Sequence, residues 1–318
     1  MYALYLDESV CEQQDCQWPN CRGFLVVGGY LFNLADSNGV EDAWRSTKGS
    51  LGLLPEYPLK WAPDNQDSAV TRQLHLTMTT LRRSCVQSVS TMPVTAYACT
   101  MLDVRREAVT TPSDPRILYP EAMKYILQRV IPSVPQDEQL VVVINRPASQ
   151  RRSSCQTPGR NAVILRYADA GSDNPFSAFQ DYRLNGNTNG LFPRFSFAPL
   201  RQATCPLSLL MGVTRYDNFL QIADVIVGAF RQWVSLELTP QPASSPCSSH
   251  HAFARRCASA LWPLLDRAGG GVDTDACSQG FIVFGDPLHK NLAETLCIRR
   301  MNGPTAWEDE VPDNDLFS

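Results

Sequence analysis

One stretch constrains the fold of this chain more than any other. Residues 219–230, FLQIADVIVGAF, carry a single ionisable side chain, Asp224. The run reads as a helix from about Phe219 to Val234, and a helix that is apolar nearly all round must be buried. Other layers have to cover it, so the chain folds around a substantial core. A carboxylate inside such a helix is costly unless it is hydrogen-bonded, paired or on a metal. Gln221 lies three residues before Asp224 and Gly228 four after, so the three share one stripe. Gly228 would let a neighbouring backbone approach. A plain reading pairs Asp224 with a buried Arg or Lys; a functional reading makes it a ligand.

Apolar strands alternate with helical patterns elsewhere. Strands are expected at Tyr2–Leu6, Phe24–Phe32, Val94–Leu102 and Leu140–Ile144, and helices at Val40–Lys48, Val70–Cys85 and Tyr119–Ile131. Strands separated by helices indicate an α/β sheet. FLVVGGYLF and LVVVI are near-continuous apolar runs, which suits strands covered on both faces. Gly28 and Gly29 inside the former suggest a bulge or a close backbone approach. Asp7 ends the first strand, where a central strand opens onto a site; a turn-forming Asp is the plainer alternative. Residues 146–200 form a long polar excursion with short candidate strands at 162–167 and 194–197. The expected organisation is a main domain over 1–238, a Ser/Pro-rich linker over 239–250, a C-terminal helix and strand extension over 251–301, and an acidic disordered tail over 302–318.

Composition excludes several classes. No run approaches the ~18 apolar residues of a spanning helix, so no membrane role is expected. The opening MYALYLDES lacks the basic start of a signal peptide. The chain has 11 cysteines, none in a CxxC, which fits free thiols in a reducing cytoplasm. Cys11, Cys16 and Cys21 have a spacing of five that matches no familiar zinc pattern, and they read as loop thiols. His250 and His251 read as linker residues. The net charge of −4 is not that of a protein that coats nucleic acid. Basic residues are nonetheless mostly Arg, with pairs at 82–83, 105–106, 151–152, 255–256 and 299–300. Guanidinium forks suit phosphate, although a coding bias toward Arg explains them more simply.

Four short motifs occur in order: YLDES within 2–9, GGYLF at 28–32, LKW at 59–61 and FLQIADVIVGAF at 219–230. Together they resemble the bacterial family labelled domain of unknown function 3800, over roughly residues 2–235. The resemblance implies a ribonuclease H-like fold, a mixed sheet flanked by helices. It implies acids from the first strand, a central strand and the last helix gathered at one site. Such sites hold two divalent ions about 3.5–4 Å apart, and hard oxygen ligands suit Mg²⁺ or Mn²⁺. By that resemblance Asp7 and Asp224 hold metal. Glu8 is an adjacent ligand or base, Lys60 contacts phosphate or orients Glu8, and Ser9 and Gln221 line the site. Three positions depart from the family pattern: Val10 stands where Gly is usual, Pro58 where Glu precedes the Lys, and Asn145 where a strand Asp is expected. A neutral Asn can still coordinate through its carbonyl oxygen.

The expected function is therefore that of a metal-dependent nuclease-like protein acting on RNA, DNA or a hybrid. The alternative is a catalytically inactive ribonuclease H-like module binding nucleic acid or protein in a mobile-element or phage-defence system. The acidic tail offers a surface for a protein partner.

Overall fold

The computed structural model describes residues 1–12, 21–62, 72, 74–104, 119–135, 137–145, 207–212, 217–238, 248–266 and 280–284. The polar excursion at 146–200 and the acidic tail lie outside the described residues.

A six-stranded mixed sheet organises the chain. Its strands are β1 (Tyr2–Glu12), β2 (Cys21–Asn33), β3 (Thr95–Val104), β4 (Leu140–Asn145), β5 (Leu207–Gly212) and β6 (Phe281–Phe284). The order across the sheet is β5-β4-β1-β2-β3-β6. β2 is antiparallel to both neighbours, whereas β4 is parallel to β1 and to β5, and β6 is parallel to β3. β1 is thus central, and it is longer than expected. The pattern DESVCE continues the strand from Asp7 to Glu12 because it pairs in unbroken register with Gly28–Gly23 of β2. Cys11 and Cys21 accordingly sit on strands, not in a loop; Cys16 lies outside the described residues. β2 also runs regularly through Gly28 and Gly29, without a bulge. A Cβ on Gly28 would lie 2.6 Å from the Tyr97 carbonyl oxygen, so close approach is what those glycines serve.

Helices cover both faces. On one lie α1 (Ser37–Ser50), α2 (Met78–Ser90), α4 (Asn218–Leu238) and α5 (Ser248–Asp266); on the other lies α3 (Tyr119–Val130). Strand alternation sorts β1 between two cores. Ala3, Tyr5 and Cys11 pack with the α4 side, and Leu4, Leu6 and Val10 with the α3 side. α4 is the apolar helix of the sequence, and Leu220, Ile222, Ala223, Val225, Ile226, Val227, Ala229 and Phe230 are all within 1% of full burial. Its start is fixed by Asp217, whose Oδ1 accepts from the Phe219 and Leu220 amides at 2.9 and 3.2 Å. Burial pushes that carboxyl above the ordinary aspartate range, and the two amide bonds pull the other way.

Two expectations for the C-terminal part change. α5 begins at Ser248, so His250 and His251 belong to its first turns rather than to a linker. α5 packs on α4 and α2, and β6 adds to the sheet beside β3. The helix and strand read as an extension thus build the same layers as the main domain. No described helix is long and apolar enough to cross a membrane.

Candidate functional site

Asp7 marks the point where β4 leaves β1. The last parallel pair is Leu6 with Ile144, so Asp7 and Asn145 are neighbours across the strands. Asn145 Nδ2 donates to Asp7 Oδ1 at 2.9 Å, and the Glu8 amide donates to the same oxygen at 2.8 Å. Asp7 is only 1% exposed. In register it faces Gly28 of β2, which in turn faces Ala98 of β3. The row Asn145, Asp7, Gly28, Ala98 therefore has small residues beside the carboxylate. The row lies at the carboxyl end of β4, beside the middle of β1.

The helix that carries Asp224 packs on that side of the sheet. Tyr5 stacks on Phe219 with ring centroids 5.2 Å apart, and Cys11 Sγ lies 3.8 Å from Ser235 Oγ. β1 and α4 therefore run in the same direction. Asp7 is two residues past Tyr5, about 6.6 Å along a strand, and that equals four to five residues along a helix. The turn of α4 level with Asp7 is then the one that carries Asp224. The helix turn that carries Asp224 is thus at about the height of Asp7 on that side of the sheet, and the Asp224 carboxylate itself is held at the Trp61 amide.

A strap from the α1–α2 connection holds the Asp224 turn. Asp224 Oδ2 accepts from the Trp61 amide at 2.7 Å, and Gln221 Oε1 accepts from the Leu59 amide and the Trp44 indole, both at 3.2 Å. A Cβ on Gly228 would fall inside the Trp61 side chain, so the third member of the stripe is where the indole seats. Leu59 and Trp61 are buried, and Lys60 between them is half-buried. Over the outer face of Trp61 lies Arg82. Its guanidinium is 4.7 Å from the ring centroid, with Nε donating to the Trp61 carbonyl at 3.0 Å and Nη1 to Gln232 Oε1 at 3.2 Å. Burial lowers Arg82 to about 10, with Cys257 and then Asp224 pulling it back up and Arg231 adding to the drop.

The structure separates the residues singled out from sequence into three groups. Asp7, Asn145 and Ser9 lie on the α4 side of the sheet, and the Asp224 carboxylate meets the Trp61 amide of the strap. Glu8 alternates to the α3 side with Leu6 and Val10, so what it brings to Asp7 is its backbone amide. Gln221 is a bracket for Leu59 and Trp44, buried within the core at 1% exposure. Arg82 was visible in the sequence only as half of an Arg–Arg pair, with nothing to link it to Trp61. Among the described residues no group of three or more His, Cys, Asp or Glu is placed to hold a metal ion. A cleft of about 310 Å³ opens at the far end of β1 between Tyr2, Asn33 and Tyr97, away from these acids. Comparison of the chain with protein-family models, curated proteins and solved structures finds no match.

Proposed function

We propose that the chain is a ribonuclease H-like phosphodiester-binding domain in which Asp7 and Asp224 take one divalent cation, Mg²⁺ or Mn²⁺. Sheet order supports the fold reading: β1, β2 and β3 form an antiparallel meander, and β4 and β5 add in parallel beside β1. What supports the site reading is that Asp7 and the turn of α4 carrying Asp224 lie on the same side of the sheet at a similar height. Two carboxylates with water completing the shell suit Mg²⁺, which keeps several waters and binds through one or two carboxylates. The donor set fits one ion better than the two-ion clamp implied by the family resemblance. Such an ion would polarise a phosphoryl oxygen and lower the pKa of a bound water. The chain's own residues would hold it, keep Asp7 in a fixed rotamer through the Glu8 amide, and present Lys60 from the strap to a phosphate. The substrate class is RNA, DNA or a hybrid.

A second reading has its own observation. Asn145 turns its amide nitrogen, a donor, toward Asp7. That donor satisfies the carboxylate as a cation would, which favours a binding module without catalysis. Calorimetry with Mn²⁺ on the wild type, Asp7→Asn and Asp224→Asn, followed by cleavage assays on labelled RNA, DNA and hybrid, tests both. The nuclease reading expects binding that both substitutions abolish, together with metal-dependent cleavage. Nucleic-acid binding without Mn²⁺ binding or cleavage selects the module instead.

A further inference from the structure

We propose that Arg82 is a positioning residue for Asp224, acting through Trp61; this rests on the acid-pair reading above. The geometry forms one chain of contacts. Arg82 covers Trp61 and bonds its carbonyl oxygen, so the peptide on the C-terminal side of Trp61 is fixed by a charged donor. The amide on the other side of the same residue donates to Asp224 Oδ2. Gly228 supplies the seat that lets the indole lie against α4, and Gln232 holds the far end of the guanidinium one turn further on. Two helices, α2 and α4, therefore grip a single residue of the strap from opposite sides. The carboxylate rotamer of Asp224 depends on where that residue sits.

The chemistry explains why this position carries Arg. A planar guanidinium stacks on an indole while its edge hydrogen-bonds, which a lysine ammonium cannot do at once. A buried cation is also costly to place, and here the guanidinium bonds the Trp61 carbonyl and the Gln232 amide oxygen and lies over the indole face. A group that costs stability to bury, yet bonds the backbone of the segment that orients a site acid, has the placement of an outer-shell partner. Loss of such partners typically weakens metal affinity about 10–100-fold.

The test uses the full chain with Mn²⁺ as probe. Amide hydrogen exchange at Trp61 reads the strap, and calorimetry reads the site. In Arg82→Met, Trp61 amide protection falls at least about tenfold and Mn²⁺ affinity falls by a similar factor. Arg82→Lys, which keeps charge but loses the stacked fork, falls between Arg82→Met and wild type in both. Gly228→Ala moves the indole without changing any charge and reproduces the loss, so the inference stays testable should Arg82→Met fold poorly. In an Asp224→Asn background, Arg82→Met adds no further loss of affinity, because partners in one chain are not additive. Lost exchange protection with Mn²⁺ affinity unchanged within twofold overturns the inference alone. Unchanged Trp61 protection overturns it as well. Absence of Mn²⁺ binding by the wild type removes the acid-pair reading and this inference with it.

Discussion

Asn145→Asp is the most informative single change, because it places an acid beside Asp7 at the end of β4 and does so against an observed hydrogen bond. The Asn145 amide donates to Asp7 at 2.9 Å. The substitution removes a donor to a charged acceptor, a bond of about 1.5–3 kcal/mol. It also places a second carboxylate beside the first. Two like charges about 4 Å apart repel by about 4 kcal/mol at an effective dielectric near 20. Part of that is relieved when the introduced carboxyl holds its proton, at about 1.4 kcal/mol per unit of raised pKa. A net loss of about 2–4 kcal/mol at pH 7.5 without metal follows, against a total stability of about 5–15 kcal/mol for a domain.

The sign of the pH dependence is fixed by the same contact. The introduced carboxyl has a raised pKa in the folded state, so the folded protein binds the proton more readily than the unfolded chain. The repulsion is absent below the unfolded value of about 4 and grows as pH rises through the raised folded value. Urea unfolding at pH 4 and 7.5, with and without Mn²⁺, reads all of this. The variant should approach wild type at pH 4, apart from the lost donor, and fall well below it at pH 7.5. It should recover at pH 7.5 in Mn²⁺, because an ion at a hundred times its Kd adds about 2.7 kcal/mol. Equal stability of the two proteins at pH 7.5, together with equal Mn²⁺ affinity, would refute the placement of Asn145 beside Asp7.

Asp224→Asn keeps an oxygen that can accept the Trp61 amide, so its melting temperature in metal-free buffer should match or exceed wild type while Mn²⁺ binding is lost; a large drop by calorimetry would identify Asp224 as half of a structural ion pair. Lys48 is fully buried, with Nζ donating to the Pro55 carbonyl at 2.9 Å and to Asn218 Oδ1 at 2.8 Å, and burial lowers it to about 8. The unfolded chain then binds that proton more tightly, so stability should rise by on the order of 1–2 kcal/mol between pH 8 and 10.5, and Lys48→Met should flatten the rise in denaturant titrations. The Cys85 and Cys257 thiols are buried and pushed up, the latter to about 12, so neither should react with a thiol reagent at pH 8 until denaturant unfolds the chain. Rapid native labelling of either, mapped by mass spectrometry, would contradict their burial beneath α2 and α5.

Much of the frame was legible because it is written in apolar periodicity. The buried helix around Asp224 and the strand LVVVI both appear where their patterns put them. What escaped was written in pairing instead. DESVCE has too many polar residues to read as a strand, yet β2 is long enough to pair with all of it, so β1 doubles in length. LSLLMG at 207–212 is six residues at an edge of the sheet, and nothing in its composition announces that β4 will accept it. Strand alternation decides that Glu8 faces away from Asp7, and that follows only once β1 is known to continue past Asp7. Arg82 reaches Trp61 across 21 residues of sequence, and no local pattern encodes that contact.

The LKW and Gln-x-x-Asp motifs illustrate how far such signals carry function. Alternate amides of an extended segment, those of Leu59 and Trp61, meet side-chain acceptors three residues apart on a helix, Gln221 and Asp224. One further turn brings Gly228 under the indole. The two motifs thus form a single lock between a strap and a buried helix, and that lock accounts for Gln221, Gly228 and one oxygen of Asp224 without any ligand. It follows that the presence of these motifs is evidence for the fold first. Evidence for chemistry has to come from Asp7 and from which atom Asn145 turns toward it. A donor there completes the carboxylate as it stands, whereas an acceptor there would ask for a cation between them.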